Sequence, residues 1–352
     1  MTNSQLHRNT SDFDSAALIQ AIPYVATTVR DSALFEDANT LLLQVFPAWK
    51  DNDVALKECR EGITNKLVMC TNKTNDTTVL IRAYGKNTDF IIDRNSELLN
   101  MIRLSRLGVC PPVYARFENG LMYGFIPGTV AKPEEMGNEL WAPLISRKLA
   151  EWSQISLPGT HAPQLFPTLR QWMHYIPQSY SDPKANETFH GYFSLDKLAS
   201  EMAELELLLS KLNSPVVFSH NDLLSGNIIM SESKDQVFFI DYEYGMYNYR
   251  AFDIANHFNE YAGFECDYSR YPSKEAQMAW FKVYLDTLGQ DSGEAALEVL
   301  YKEVCHFQLA SHFYWGIWAL IQASISDIDF DYMECAKMRF EEYYKNKAQL
   351  LC

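Results

Sequence analysis

Phe218-Ser219-His220-Asn221-Asp222-Leu223-Leu224-Ser225-Gly226-Asn227-Ile228-Ile229, followed by Phe239-Ile240-Asp241-Tyr242-Glu243-Tyr244, decides how this chain is read. An Asp is followed five residues on by an Asn, and then by a second Asp at the end of an apolar run. Phosphoryl transfer from ATP asks for this order: one carboxylate orients a hydroxyl and accepts its proton, then an amide and a second carboxylate hold magnesium. An isolated H-x-D means little. Three such residues, interleaved with short strand-like apolar runs, mean a good deal.

Set against the template H-R-D-x-x-x-x-N and then D-F-G, the chain has Asn221 in place of the Arg and Asp241-Tyr242-Glu243 in place of D-F-G. Asp222 is the candidate base. Asn227 and Asp241 are the candidate magnesium ligands, because Mg²⁺ takes hard oxygen donors and keeps several waters. His220 reads as a residue that orders the loop by hydrogen bonding rather than one that transfers protons.

Upstream, Lys66 to Thr71 and Thr77 to Tyr84 are β-rich runs separated by Asn72-Lys73-Thr74-Asn75-Asp76, which predicts a hairpin. A helix is predicted from Asp93 to Leu107 with a stop at Gly108, then a second hairpin from Val113 to Phe117 and Leu121 to Ile126. Strand, strand, helix, strand, strand is the order of a kinase amino-terminal lobe. Arg82 ends a strand and Glu97 lies early in the next helix. Kinase sites pair a strand cation with a helix carboxylate so that the cation points at the ATP phosphates, and Arg binds phosphate bidentately. Thr64 and Asn65, in the segment Glu61 to Lys66, stand where a phosphate-covering loop is expected, although a single glycine is a weak match to a Gly-rich loop.

The fold class is therefore α+β, a protein-kinase-like bilobal fold with a small β-rich amino-terminal lobe and a large, mainly helical carboxy-terminal lobe. Residues 1–20 are polar and aperiodic and read as a mobile tail. Residues 21–127 form the ATP-binding lobe with a leading helix. Pro127-Gly128 marks the junction, and residues 128–352 form the helical lobe.

At 352 residues the chain is long enough for two lobes, and 47% hydrophobic content describes a globular protein. A formal net charge of -15 argues against nucleic acid or an anionic membrane surface as the main partner and suits a cationic substrate. Seven scattered cysteines with no C-x-x-C read as reduced thiols, so a cytoplasmic location is expected. No signal-peptide pattern opens the chain, and no apolar run approaches the roughly 20 residues of a membrane span.

Two clusters bear on the acceptor. Asp253, Asn256, His257 and Glu260 share one helix face at i, i+3, i+4, i+7. Such a face usually meets solvent, but this one directly follows the magnesium motif and could instead order the site. Trp315 and Trp318 share a face in His312-Phe313-Tyr314-Trp315-Gly316-Ile317-Trp318. An aromatic pair at helical spacing is either core or, beside carboxylates, a wall for an organic cation. The residues alone leave both readings open.

With Tyr247-Asn248-Tyr249-Arg250-Ala251-Phe252-Asp253-Ile254-Ala255-Asn256-His257-Phe258 and Ser311-His312-Phe313-Tyr314-Trp315-Gly316-Ile317-Trp318-Ala319-Leu320-Ile321-Gln322 added to the catalytic motif, the chain resembles the choline/ethanolamine kinases. The resemblance runs from about Gly62 to the C-terminus. It implies Asp222 as catalytic base, with Asn227 and Asp241 serving Mg²⁺ and phosphate. Arg82 would contact the nucleotide with Glu97 in support, and a hinge at Gly124-Phe125-Ile126 would place Phe125 and Ile126 beside adenine. Glu243, Tyr244, Glu260, Trp315 and Trp318 would line the amino-alcohol pocket. Family members tend to carry a larger polar residue where Gly124 stands, and they often form homodimers.

The ethanolamine branch fits better than the choline branch, on Gly62-Ile63-Thr64-Asn65-Lys66-Leu67, Asn259-Glu260-Tyr261-Ala262-Gly263 and Asp267-Tyr268-Ser269-Arg270-Tyr271-Pro272. The expected activity is ATP-dependent phosphorylation of ethanolamine, the first step of phosphatidylethanolamine synthesis by the CDP-ethanolamine route. A choline kinase or a dual choline/ethanolamine kinase is the alternative. An aminoglycoside or sugar phosphotransferase, a protein kinase and a catalytically silent module are the more distant ones.

Overall fold

The computed structural model describes residues 15–59, 65–85 and 90–351. By its contacts the chain divides into two compact units, residues 1–128 and 129–352.

The first unit is built on alternation. In β3 (Asn65–Asn72) and β4 (Thr77–Tyr84), Val68, Cys70, Val79, Ile81 and Ala83 are buried. They pack with Ala38, Leu41 and Leu42 of α2 (Leu34–Val45). Successive strand side chains point to opposite faces, so this period of two creates one apolar face, and α2 covers it. The β3–β4 turn is tied by Thr74 N–H donating to Asn72 Oδ1 at 2.9 Å, and Asp76 takes a left-handed φ of 55°. With β1 (Tyr24–Val25), β2 (Val54–Cys59), β5 (Val113–Phe117) and β6 (Gly120–Gly124), the sheet runs β1-β5-β6-β4-β3-β2.

Helix α3 (Arg94–Arg106) starts where Asp93 caps it, accepting from the N–H groups of Asn95 and Ser96, and stops at Gly108 with φ of 74°. Two strands of this unit went unread, as did Thr129–Val130 and Met246–Tyr249 further on. β2 is an edge strand whose Lys57 and Glu58 mask its alternation, and β1 has only two residues. The tail reading needs correction at residues 15–20. These form α1 (Ser15–Gln20), with Leu18 buried and Ser15 Oγ accepting from Arg103 Nη2. Leu18 gives that short turn something to pack, which polar composition hid.

The second unit opens with β7 (Thr129–Val130) and α4 (Trp141–Ser153), then α5 (Leu165–Met173), α6 (Pro183–Tyr192) and α7 (Leu195–Leu209). Four short strands follow: β8 (Val216–Ser219), β9 (Ile228–Met230), β10 (Val237–Phe239) and β11 (Met246–Tyr249). β10 pairs with β9 and β9 with β7, while β11 pairs antiparallel with β8. The catalytic motif thus sits in the connections between these strands. The chain then closes with α8 (Arg250–Asn259), α9 (Lys274–Thr287), α10 (Glu294–Ile325) and α11 (Tyr332–Leu351). From Leu309 to Gln322 every residue of α10 is buried, as expected of a helix that is apolar on all sides. α8, α9 and α11 pack around it. Gly316 lets α11 approach: a Cβ there would stand 2.6 Å from the Phe340 ring.

Candidate active site

The segment between β8 and β9 is held by hydrogen bonds to later elements and by packing of its buried side chains. Asn221 takes a left-handed φ of 67°, which Asn tolerates better than most residues, and Asp241 has φ of 62°. Asp253 of α8 secures the turn: its two carboxylate oxygens accept from the N–H groups of His220 and Asn221, at 2.9 and 2.8 Å. Asn221 Nδ2 donates to the carbonyls of Ser219 and Tyr244, and Asn248 Nδ2 donates to Asn221 Oδ1. His220 Nε2–H donates to the Ile240 carbonyl at 2.9 Å, with its ring against Trp152, Phe239 and Tyr242. Burial holds this imidazole down to about 4. It is neutral at physiological pH and orders the loop.

Asp222 is 8% exposed and next to Asn227, whose Nδ2 donates to Asp222 Oδ2 at 3.0 Å and to the Asp222 carbonyl at 2.8 Å. Burial raises the Asp222 carboxyl well above the usual carboxylate range, and the charges of Asp241, Glu260 and Glu243 add to this, against the Asn227 bond. Three carboxylates thus bear on Asp222 in the second unit, which suits binding of cations there.

The α8 polar face does not meet solvent. Asp253, Asn256, His257 and Glu260 are all buried. Asn256 Nδ2 donates to the Asn221 carbonyl, while its Oδ1 accepts from Ser311 Oγ and from Trp315 Nε1 at 2.6 Å. His257 Nδ1–H donates to the Leu223 carbonyl at 3.0 Å. One helix therefore ties the catalytic turn to the aromatic stretch of α10. Trp318 Nε1–H donates to Tyr244 Oη at 2.8 Å, and the Tyr244 and Trp318 rings lie 5.2 and 5.5 Å from that of Trp315. Tyr244, Trp315 and Trp318 form one aromatic cluster, and Glu243 and Glu260 exert their charge on the same Asp222.

In the first unit, Arg82 Nη2 donates to Glu97 Oε1, and Arg94 Nη1 donates to Glu97 Oε2 at 3.0 Å. Arg82 is 5% and Glu97 1% exposed, so the expected pair is a buried one. Asn65 opens β3 opposite Tyr84, and Thr64 lies outside the described residues. Phe125 and Ile126 follow β6, with Phe125 exposed. A side chain at Gly124 would press on Pro111 at 2.9 Å, which explains why this chain has glycine there.

Sequence reasoning passed over Arg339, which pairs with Glu260, and did not foresee that Asp253 and Asn256 bond the catalytic turn directly. The partners of Asp253 and Asn256 include backbone groups over thirty residues away, which no local pattern displays.

Among solved structures the chain is similar to an ethanolamine kinase of Plasmodium vivax, with 29% identity and a TM-score of 0.81 over 97% of this chain and 96% of that one. A choline kinase of Cryptosporidium parvum shares the fold, with a TM-score of 0.73 at 23% identity over 90% of this chain and 96% of that one. Fold and relatives define a phosphotransferase with the protein-kinase-like fold. Among curated sequences, ethanolamine kinase 1 of Mus musculus is 40% identical over 94% of this chain and 94% of its own length. A probable ethanolamine kinase A of Dictyostelium discoideum is 41% identical over 86% and 88%. The profile described as choline/ethanolamine kinase matches residues 56–344, and the chain belongs to that family. It is accordingly an ATP-using phosphotransferase with an alcohol group as acceptor. Among the described residues no helix is long and apolar enough to cross a membrane.

Proposed function

We propose that this protein transfers the γ-phosphoryl group of ATP to the hydroxyl of ethanolamine, giving phosphoethanolamine and ADP in the cytoplasm. The observation that carries the choice of acceptor is the 40% identity, over 94% of the chain, to a protein named ethanolamine kinase. The acidic and aromatic cluster of the second unit supports it: an ammonium group is served by carboxylates and by ring faces together.

In this reading Asp222 accepts the proton of the substrate hydroxyl, and burial beside Asp241, Glu260 and Glu243 raises its basicity, as a general base requires. Asn227 and Asp241 hold Mg²⁺. The donor set fits: Asn227 spends its NH₂ group on Asp222, and among the described residues no donor meets its Oδ1, which is the hard oxygen a magnesium ion takes. The ion when bound neutralises phosphate charge. Arg82, fixed by Glu97, is the phosphate-binding cation of the first unit, with Thr64 and Asn65 as further phosphate contacts and Phe125 and Ile126 at adenine. Glu243, Tyr244, Glu260, Trp315 and Trp318 receive the amino alcohol.

The test is turnover of ethanolamine and choline side by side with MgATP. Ethanolamine offers three N–H donors to the carboxylates and choline offers none, so acceptors left unpaired penalise choline. A higher kcat/KM for ethanolamine, with slower choline turnover, is expected. Equal or higher efficiency with choline overturns the acceptor assignment.

A further inference from the structure

Glu260 follows α8 as the first residue of a tight turn, Glu260–Ala262, and its side chain is buried. Its Oε1 accepts from Arg339 Nη2 at 2.7 Å, across 79 residues of sequence. The two side chains are 6% and 8% exposed. Burying a guanidinium and a carboxylate together is costly, and the pair persists only where its geometry is good. Among the described residues, Arg339 Nε and Nη1 have no hydrogen-bond partner, so Glu260 is the group this arginine serves. The charge of the guanidinium also acts on the buried Cys266 and on the half-buried Cys335 and Tyr268. The charge of Glu260 also acts on Asp222. Among the described residues Oε2 of Glu260 meets no donor.

We propose that Arg339 is a positioning residue of the amino-alcohol pocket, holding one oxygen of Glu260 so that the other accepts from the substrate ammonium. This rests on the reading of Glu260 as a pocket carboxylate. An ion pair with one oxygen engaged and one open attracts a distant cation less than a bare carboxylate does. It still offers a directed acceptor. The arrangement therefore favours a primary ammonium, which donates, over a quaternary nitrogen, which attracts only through its charge. Arg339 in this role sets selectivity as well as affinity.

Four variants test it: Glu260→Gln, Arg339→Met, Arg339→Lys and Glu260→Gln with Arg339→Met. Steady-state kinetics are measured for ethanolamine, choline and ATP. Glu260→Gln and Arg339→Met are each expected to raise the KM for ethanolamine about tenfold, the worth of one charge-assisted hydrogen bond. The KM for ATP should stay unchanged, and choline should lose less than ethanolamine. Arg339→Lys should recover part of the loss. The double variant should match Glu260→Gln, because Arg339 then has nothing to hold; this comparison stands even where Arg339→Met alone fails to fold. A merely structural role would lower the yield of active enzyme and leave the KM values in place, which overturns the proposal. A further large loss in the double variant over Glu260→Gln also overturns it. An unchanged ethanolamine KM in Glu260→Gln removes the pocket role of Glu260 and that of Arg339 with it. An unchanged KM in Arg339→Met removes only the latter.

Discussion

Asn227 reaches back to Asp222 and donates through one nitrogen to both its backbone carbonyl and its Oδ2, at 2.8 and 3.0 Å. The candidate base and a candidate magnesium ligand thereby hold each other, and the side chain that orients one carboxylate oxygen leaves the other for a substrate hydroxyl. Replacing Asp222 with Ala should lower kcat by a factor on the order of 10²–10⁴, the usual worth of a general base, while nucleotide binding persists. Single-turnover rates alongside ATP titration measure this. A variant with near-native turnover would remove Asp222 from the proton transfer.

Magnesium dependence is expected to run through Asp241. Asp241→Asn should weaken MgATP binding several-fold or more, because a neutral amide oxygen replaces a carboxylate on a hard dication. Chelation should abolish turnover and added Mg²⁺ should restore it. Calorimetric titration with MgATP decides the matter, and an unchanged affinity in the variant moves the metal elsewhere.

The Asp253 carboxylate pins two successive backbone N–H groups of the catalytic turn. Asp253→Asn puts a donor where an acceptor is needed and should cost about 1–3 kcal/mol of stability, the price of one unsatisfied buried group. The loss should appear in urea denaturation, together with a fall in kcat. A variant as stable as the parent would show that the turn holds itself.

Acid should reveal the buried histidines. Burial holds His257 at about 4, and its Nδ1–H is committed to the Leu223 carbonyl. Between about 4 and the unfolded value near 6.5, the unfolded chain binds a proton that the folded one does not, so stability rises with pH in this window and is lost as pH falls through it. His220 behaves likewise, whereas Asp253, raised by burial to about 6, acts in the opposite direction. His257→Gln keeps a donor for the carbonyl and removes the titration. The stability difference between parent and variant should shift on the order of 3 kcal/mol from pH 7 to pH 4. A constant difference would mean that His257 takes up its proton in the folded state.

Much of the fold could be read from the chain because it rests on local periodicity. The β3–β4 hairpin alternates visibly, and Asp93 and Gly108 bracket α3 with a cap and a stop. The Arg82–Glu97 pair was legible because a strand cation and an early helix carboxylate stand in a familiar order. The α8 face was ambiguous for a physical reason: a polar stripe at helical spacing looks the same whether water or a loop backbone satisfies it. Only the folded chain shows that Asp253 and Asn256 bond His220 and Asn221. Arg339 was invisible for the same reason, standing near Lys337 and Glu341 on what reads as an ordinary charged helix.

Trp315 and Gly316 are neighbours on α10, as Arg339 and Phe340 are on α11, and Gly316 yields its space to the Phe340 ring. The Trp315–Trp318 stretch and Arg339 are thereby brought close through one missing methyl group. Widening the crossing would carry both away from each other in a single movement, loosening the helical core as it did so. A lineage under selection for a bulkier acceptor has little freedom at this crossing.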